Sequence, residues 1–378
     1  MNEKEIAELR RRFRPDRSSI THVRGCYVNE SREIIAQFDQ SLAMMTQEES
    51  EKFLALLRKT MSGTLGKNLI DISFETQQVV SGEEHRLLMN LRSSGLQDEQ
   101  AVQTLFEKCI NSLEMEGNYL ILLAYDRYDV PFRSRDGEDQ ADGGNGEVFS
   151  YILCSICPVK PTKPALSYHV QVNEFRDQKT DYIVCAPEVG FLFPAFDERS
   201  TNLYNALYYT KDAEEGQSAF VDSVFRTPPP MPAVVQKQTF QSVLGEALGE
   251  ECSFQVVQSV HEQLCGLIQE HKESKEPQPL TISRKTVGQV LSSCGVSQQR
   301  AEAFAQQYDE AFGEDTDLSP KNLVDPKHIQ LKTPDVTISV NPERSDLVKT
   351  QVIDGTRYIL IRADEGVEVN GVNIHINT

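Results

Sequence analysis

Tryptophan is absent from this chain of 378 residues, and so is any complete catalytic, nucleotide-binding or metal-binding motif. The largest apolar side chains are therefore those of its 17 Phe and 12 Tyr residues. No stretch approaches the roughly 18 uninterrupted apolar residues that a membrane-spanning helix needs. The first six residues also lack the apolar core of a signal peptide. We therefore expect a soluble, cytoplasmic protein that does not associate with a membrane.

Positive charge is scarce, because 38 Lys and Arg face 57 Asp and Glu and leave a net charge of −19. Nucleic-acid affinity depends largely on Lys and Arg that displace counterions, so only a local basic surface could bind nucleic acid. The eight cysteines are dispersed, unlike the dense cysteines of small secreted disulfide scaffolds. We therefore expect buried thiols in a reducing compartment.

The pattern of apolar residues predicts an α+β protein with a mixed-sheet N-terminal domain, a helical middle segment and a hairpin-rich C-terminal tail. Consecutive prolines within 228–232 cannot continue a helix and mark an exposed connector. The predicted divisions are an α+β domain over 1–227, a helical segment over 233–315 and a β-rich tail over 330–378. We expect the tail to pack on the N-terminal domain, because four short strands bury little surface alone.

Apolar residues at helical spacing indicate helices in both halves of the chain. The predicted helices cover 3–14, 47–61, 83–93, 97–114, 233–248, 253–272, 283–293 and 297–312. Alternating or continuous apolar runs indicate strands, of which 119–128 is expected to be central. The predicted strands cover 20–28, 69–74, 119–128, 148–159, 165–175, 181–186, 189–193, 203–210, 336–340, 349–353, 358–362 and 367–376. Asp354-Gly355 predicts a hairpin turn.

Two cysteine patterns invite a chemical interpretation. Cys154 and Cys157 have the CxxC spacing of metal and redox sites, but residues three apart on a strand point to opposite faces. We therefore predict two buried thiols without a metal. His261 and Cys265 share one face of a predicted helix. A Cys–His nucleophile needs a third group that orients the base, so packing is the favoured interpretation of this pair.

One arginine cluster stands out near the N-terminus. The planar guanidinium group suits bidentate contacts with phosphate or carboxylate. The alternative is a charged helix surface that pairs with neighbouring carboxylates. The candidate anion contacts are Arg10, Arg11, Arg12, Arg14, Arg17 and Arg24.

Six segments of the sequence carry a resemblance to a known family: Met1–Ile6, Ile20–Val28, Ser62–Phe74, Tyr151–Lys160, Gly190–Asp197 and Pro342–Val348. Over the full length of the chain they resemble the bacterial domain-of-unknown-function family numbered 4317. The resemblance implies a bacterial, cytosolic protein and supplies no activity or site. The order of elements is also similar to that of bacterial nucleoid-associated proteins, a fold-level likeness that does not imply function.

We expect a non-enzymatic binding protein whose partner is a protein or a nucleic acid and which has no cofactor. The alternative is an enzyme of the hydrolase type, with a site assembled from distant residues such as His22, Asp71, Asp126 and Arg199. A deep pocket with converging polar side chains would favour the enzyme. A groove or flat face lined by arginine would favour the binding protein.

Overall fold

A computed structural model describes most of the chain. The described residues are 1–133, 139–140, 148–178, 180–212, 217–228, 231–274, 276, 278–314, 316–363, 366–369 and 372–374. The chain divides into two compact units, Met1–Ala233 with Pro277–Pro279 and Val234–Glu276 with Leu280–Thr378. In the described ranges, no helix is long and apolar enough to cross a membrane.

The division after Ala233 falls next to the connector predicted at 228–232. Pro228 is exposed, whereas Pro229 and Pro230 lie outside the described residues. Residues of the C-terminal tail group with the second unit. The packing of that tail on the N-terminal domain stays a prediction.

Helices and a large sheet make up the first unit. Its helices are α1 (Glu3–Arg10), α2 (Gln47–Thr60), α3 (Thr76–Ser81), α4 (Glu83–Ser93), α5 (Glu99–Ser112) and α6 (Ser218–Phe225). Its first strands are β1 (His22–Val28), β2 (Ile34–Ser41), β3 (Leu69–Ser73), β4 (Asn118–Asp129), β5 (Phe132–Arg133), β6 (Asp139–Gln140) and β7 (Val148–Pro161). The later strands are β8 (Ala165–His169), β9 (Glu174–Gln178), β10 (Tyr182–Val184), β11 (Val189–Phe193), β12 (Ala195–Asp197), β13 (Ser200–Asn202) and β14 (Asn205–Thr210).

The main sheet has the strand order β2-β1-β4-β7-β11-β14-β3, with β10 also paired to β7. The α+β class is confirmed, and the described strand pairs of this sheet are antiparallel where a mixed sheet was expected. Strand β4 pairs with β7 along the whole length of β4, from Asn118 opposite Val159 to Asp129 opposite Val148. The predicted central position of the strand over 119–128 is therefore confirmed.

Both faces of this sheet are covered, which explains the continuous apolar run in β4. Ile121 and Leu123 belong to a core shared with α4, α5 and α6. Leu120 and Leu122 belong to a second core, shared with α1 and α2 on the other face. Successive residues of a strand point to opposite faces, so a strand buried on both sides needs apolar residues at every position.

Helix α2 packs very closely on the sheet where β7 and β11 lie side by side. The buried hydroxyl groups of Thr60 and Ser155 are 2.6 Å apart and share a hydrogen bond. Gly190 lies directly under Thr60, and a Cβ at Gly190 would collide with the Thr60 methyl group and the Cys154 carbonyl oxygen. Glycine in a strand often marks such a close approach.

The second unit is helical at first. Its helices are α7 (Ala233–Leu248), α8 (Phe254–Ser274), α9 (Arg284–Ser293), α10 (Gln298–Phe312) and α11 (Pro320–Leu323). Their core includes Phe240, Leu264, Leu291 and the fully buried Phe304. The helices predicted in this half of the chain are confirmed to within a residue or two at each end.

Hairpins make up the tail of the second unit. Its strands are β15 (Ile329–Lys332), β16 (Thr337–Val340), β17 (Val348–Ile353), β18 (Thr356–Ile361), β19 (Val367–Val369) and β20 (Val372–Ile374). They pair as β15 with β16, β17 with β18 and β19 with β20. Asp354 and Gly355 have φ angles of 49° and 79° and form the predicted turn between β17 and β18.

Candidate anion-binding groove

Three arginines of the N-terminal cluster meet two cations of α2 in one groove. Arg10 ends α1, Arg11 and Arg14 follow it, and Arg58 and Lys59 lie in the last turn of α2. The groove has a volume of about 550 Å³ and is lined by Ala7, Arg10, Arg11, Arg14, Ala55, Arg58, Lys59 and Ser62. This lining, within the described part of the chain, contains no carboxylate. The basic groove, as we call it, therefore combines five cations in an acidic protein.

The sequence positions these cations through two amphipathic helices. In α1, Ile6 and Leu9 are buried, and in α2, Leu54 and Leu57 are buried. The lining residues form two series, one that starts at Ala7 and one that starts at Ala55. Each series has the spacing i, i+3, i+4, i+7. Within α1 and α2 this spacing keeps side chains on one helix face, whereas Arg11, Arg14 and Ser62 lie just beyond the two helix ends. The sequence analysis did not include Arg58 and Lys59 of α2 among the candidate anion contacts. Their position next to the apolar face of a clearly periodic helix was the signal that could have identified them.

Both helices point their carbonyl ends towards the basic groove. The negative end of a helix dipole favours nearby cations, so part of the positive charge offsets the two helix ends. Arg11 shows this directly, because its Nε donates a hydrogen bond to the Ala7 carbonyl oxygen at 3.1 Å. Arg11, Arg14, Arg58 and Lys59 are nevertheless exposed, and among the described residues no ion pair joins any of them to a carboxylate. Their charges face solvent.

Arg10 differs from its neighbours in the basic groove because it is half-buried. Its Nε atom is buried and has no hydrogen-bond partner among the described residues. Buried polar groups are nearly always hydrogen-bonded, so an acceptor from a ligand would satisfy this donor.

Arg12 belongs to a different environment. Its Nε lies 3.1 Å from Asp126 Oδ2, and its Nη2 donates to the Arg127 carbonyl oxygen at 3.0 Å. The guanidinium also stacks 4.4 Å above the ring of Tyr128. The hydroxyl of Tyr151 donates to Asp126 Oδ2 at 2.8 Å, and burial, followed by the charge of Asp126, raises the pKa of Tyr151 well above its usual value. Arg12 therefore anchors the chain after α1 to the sheet.

Arg24 and Arg17 also lie outside the lining of the basic groove. Arg24 is buried, pairs with Glu99 and Asp39, and donates to the Leu96 carbonyl oxygen at 2.9 Å. Arg17 is exposed and lies 3.6 Å from Asp16. The six predicted contacts thus separate into three that share the groove and three that pair with carboxylates.

The residues named for the alternative enzyme site have separate partners. Asp71 lies 3.3 Å from the α-amino nitrogen of Met1, and Arg199 Nη2 lies 2.9 Å from Glu8 Oε1. His22 is exposed and contacts the neighbouring Thr21 hydroxyl. Asp126 is paired with Arg12 as described above. None of the hydrogen bonds and ion pairs found in the described ranges joins one of these four residues to another.

A larger pocket of about 800 Å³ lies elsewhere in the first unit. Its lining mixes cations such as Arg32 and Lys160 with carboxylates such as Glu114 and Glu116. Opposite charges in this lining compensate each other, as the ion pair between Lys211 and Glu188 at 3.5 Å shows. The pocket therefore has no net preference for an anion.

Cys154 and Cys157 are both fully buried. Cys154 lies in the core with Ile156, and the alternation of β7 places Cys157 on the opposite face. The predicted burial and divergence are confirmed. Burial raises the pKa of Cys154 well above its usual value and that of Cys157 to about 12. In the described ranges, no group of three or more His, Cys, Asp or Glu side chains is placed to hold a metal ion.

Comparison with protein-family models identifies the family of this chain. The family described as Domain of unknown function (DUF4317) matches residues 1–372. No curated protein matches the chain.

Proposed function

We propose that this chain, which belongs to the DUF4317 family, is a non-enzymatic protein that binds nucleic acid through its basic groove. One observation carries the proposal: five cations, from α1, the residues that follow it and α2, line one groove without a carboxylate, in a chain of net charge −19. Phosphate contacts by Lys and Arg supply most of the non-specific affinity for nucleic acid.

The openness of the basic groove favours a polymer over a small metabolite. A pocket for a small molecule buries most of the ligand surface, whereas Arg11, Arg14, Arg58 and Lys59 are all exposed. A phosphate backbone can lie along such cations and remain partly in solvent. Three of the four are arginines, which suit bidentate phosphate contacts.

The negative charge of the remaining surface also favours binding of a polyanion at the basic groove. Like charges repel a polyanion over most of the protein, and the basic groove attracts it locally. We therefore expect weak, strongly salt-dependent binding that lacks base readout, since phosphate contacts alone carry no sequence information.

The proposal includes a bacterial, cytoplasmic protein with a role like that of nucleoid-associated proteins. All eight cysteines are free, which suits a reducing compartment. The nucleoid-type role comes from the order of elements, a fold-level likeness that does not imply function, and the binding experiment below tests it.

The test is a titration of a fluorescent 20-base-pair duplex at several salt concentrations. We expect the slope of log affinity against log salt to flatten by up to about 2.7 in the triple variant Arg11→Ala, Arg14→Ala, Arg58→Ala, because each duplex phosphate contact contributes about 0.9. A matched control removes three exposed arginines outside the lining, through Arg86→Ala, Arg176→Ala and Arg357→Ala.

The control variant has the same change in net charge, so it should bind with the wild-type slope. Equal weakening in both triple variants would reduce the effect to overall charge and contradict the groove. Absence of binding by the wild type at low salt would reject nucleic acid as the ligand and favour a protein partner.

A further inference from the structure

Helix α8 carries a cysteine and a histidine in direct contact. Cys265 Sγ lies 3.6 Å from Nδ1 of His261, within hydrogen-bond distance for sulfur. The two residues are four apart, so the helix places them on one face. Both side chains are partly exposed. The pair belongs entirely to the second unit and is independent of the basic groove.

The structure supplies the third group that orients the histidine. His261 Nε2 lies 3.0 Å from the backbone carbonyl oxygen of Asp325. A carbonyl oxygen only accepts hydrogen bonds, so Nε2 carries the ring proton in neutral His261 and Nδ1 is the acceptor. The Nδ1 lone pair therefore faces the thiol of Cys265. Sequence analysis could not find this group, because Asp325 is about 60 residues away.

The surroundings keep both partners neutral at rest. Burial lowers the pKa of His261, and burial followed by the charges of Asp325 and Glu262 raises the pKa of Cys265, so a preformed thiolate is disfavoured and proton transfer must accompany attack. The charged groups that influence His261 are Asp325, Glu262 on the same helix and Lys237 on α7. His328 lies 3.4 Å from Asp325 Oδ2. A protonated thiol next to a neutral, oriented imidazole is the starting state for base-assisted attack.

We propose that Cys265 is a modification site for soft carbon electrophiles such as activated alkenes, with His261 as its proton acceptor. The sulfur attacks the terminal carbon of the alkene, a C–S bond forms and the π bond breaks. The thiol proton passes to His261 Nδ1 and then to the neighbouring carbon of the adduct. The addition needs no oxidant, and the imidazole is regenerated.

The partly exposed cysteines Cys185, Cys252 and Cys294 provide internal controls. In the described part of the chain, no hydrogen bond joins any of these three to a histidine, in contrast to Cys265. Treatment of the folded, full-length protein with N-ethylmaleimide, followed by peptide mass spectrometry, gives a rate for each cysteine. We expect Cys265 to react faster than the controls at pH 7 despite its raised pKa, because His261 accepts the thiol proton as the sulfur attacks.

The pH profile separates base assistance from simple exposure. The rate at Cys265 should be nearly constant from pH 7 to 8, because it depends on the neutral pair. In the variant His261→Gln the rate at pH 7 should be lower than in the wild type. That lower rate should increase about tenfold for each pH unit, as expected for an unassisted thiolate. The control variant His328→Gln, which alters a histidine beside Asp325 without contact to Cys265, should retain the wild-type profile.

Two results would overturn the proposal. One is a rate at Cys265 no higher than that at Cys252 and Cys294. The other is a tenfold rise per pH unit in the wild type, which would show that His261 takes no proton. Circular dichroism of each variant checks that a lost rate does not arise from unfolding.

Discussion

At the residue scale, the pairing of Arg12 with Asp126 shows how a basic cluster is divided between structure and binding. Asp126 is 2% exposed and Arg12 is 15% exposed, and they meet across 114 residues of sequence. Loss of one partner from a buried ion pair leaves the other charge uncompensated. Arg12 therefore stabilises the fold, whereas Arg11 and Arg14 are exposed in the basic groove.

We predict that Asp126→Ala lowers the free energy of unfolding by about 3–5 kcal/mol, the range typical when one partner of a buried pair is removed. The matched control is Asp129→Ala, three residues further along β4 on the exposed side, which should change it by less than about 0.5 kcal/mol. Urea unfolding followed by circular dichroism measures both. Equal effects of the two variants would contradict the role of Asp126.

A second residue-scale prediction concerns His261 and acid. Its pKa is lower in the folded protein, mainly through burial, so the unfolded chain binds a proton more readily. The stability linked to this histidine is complete above about pH 6.5, the ordinary imidazole pKa. It is lost as the pH falls from there towards the lower folded value.

We therefore expect the variant His261→Gln to lose less stability than wild type between pH 7 and pH 5. Urea unfolding at several pH values gives the comparison, with His328→Gln as the control. A parallel pH dependence of wild type and His261→Gln would show that this histidine does not contribute.

At the element scale, α2 begins where its sequence indicates. The Thr46 hydroxyl oxygen accepts a hydrogen bond from the Glu49 backbone N–H, and the Glu49 carboxylate accepts one from the Thr46 backbone N–H at 3.0 Å. Such a capping box satisfies two helix donors that otherwise have no partner. The helix then presents Arg58 and Lys59 at its far end.

We predict that Thr46→Ala lowers the free energy of unfolding by about 1 kcal/mol, the usual cost of a lost N-cap. Thr46→Ser should retain most of the stability because serine keeps the capping hydroxyl. Urea unfolding of the two variants tests this difference. Equal stability of both variants would contradict the cap.

Helices with caps and clear periodicity could be predicted from the sequence, and elements without these signals could not. Helix α6 was missed because its flanking residues, Gln217 and Arg226, have φ angles of 43° and 54° and supply no side-chain cap. The predicted strand over 165–175 is instead split into β8 and β9. Asn173, with a φ of 54°, was the local sign of that turn.

At the scale of the whole molecule, long-range pairing set the limit on prediction. Strand β3 pairs with β14 across about 130 residues, and periodicity carries no information about such partners. The basic groove has the same origin. Its arginines after α1 were predicted as a cluster, but Arg58 and Lys59 join them only because α1 and α2 cover the same face of the sheet.

Each unit has a core of its own, so we predict unfolding in more than one step. Phe304→Ala in the second unit and Phe191→Ala in the first remove fully buried side chains, each at a cost of about 3–5 kcal/mol. Differential scanning calorimetry should show that each variant lowers a different transition. A single transition, lowered equally by both variants, would contradict separate cores.

The contact between Gly190 and Thr60 has a consequence for how the family can vary during evolution. Any side chain at position 190 would push α2 away from β7, and the cations of the basic groove would move with the helix. Relatives that keep the basic groove should therefore retain glycine at position 190. A smaller residue at position 60 would not permit alanine at position 190, because the clash with the Cys154 carbonyl oxygen on the neighbouring strand remains, so glycine should persist even where position 60 varies.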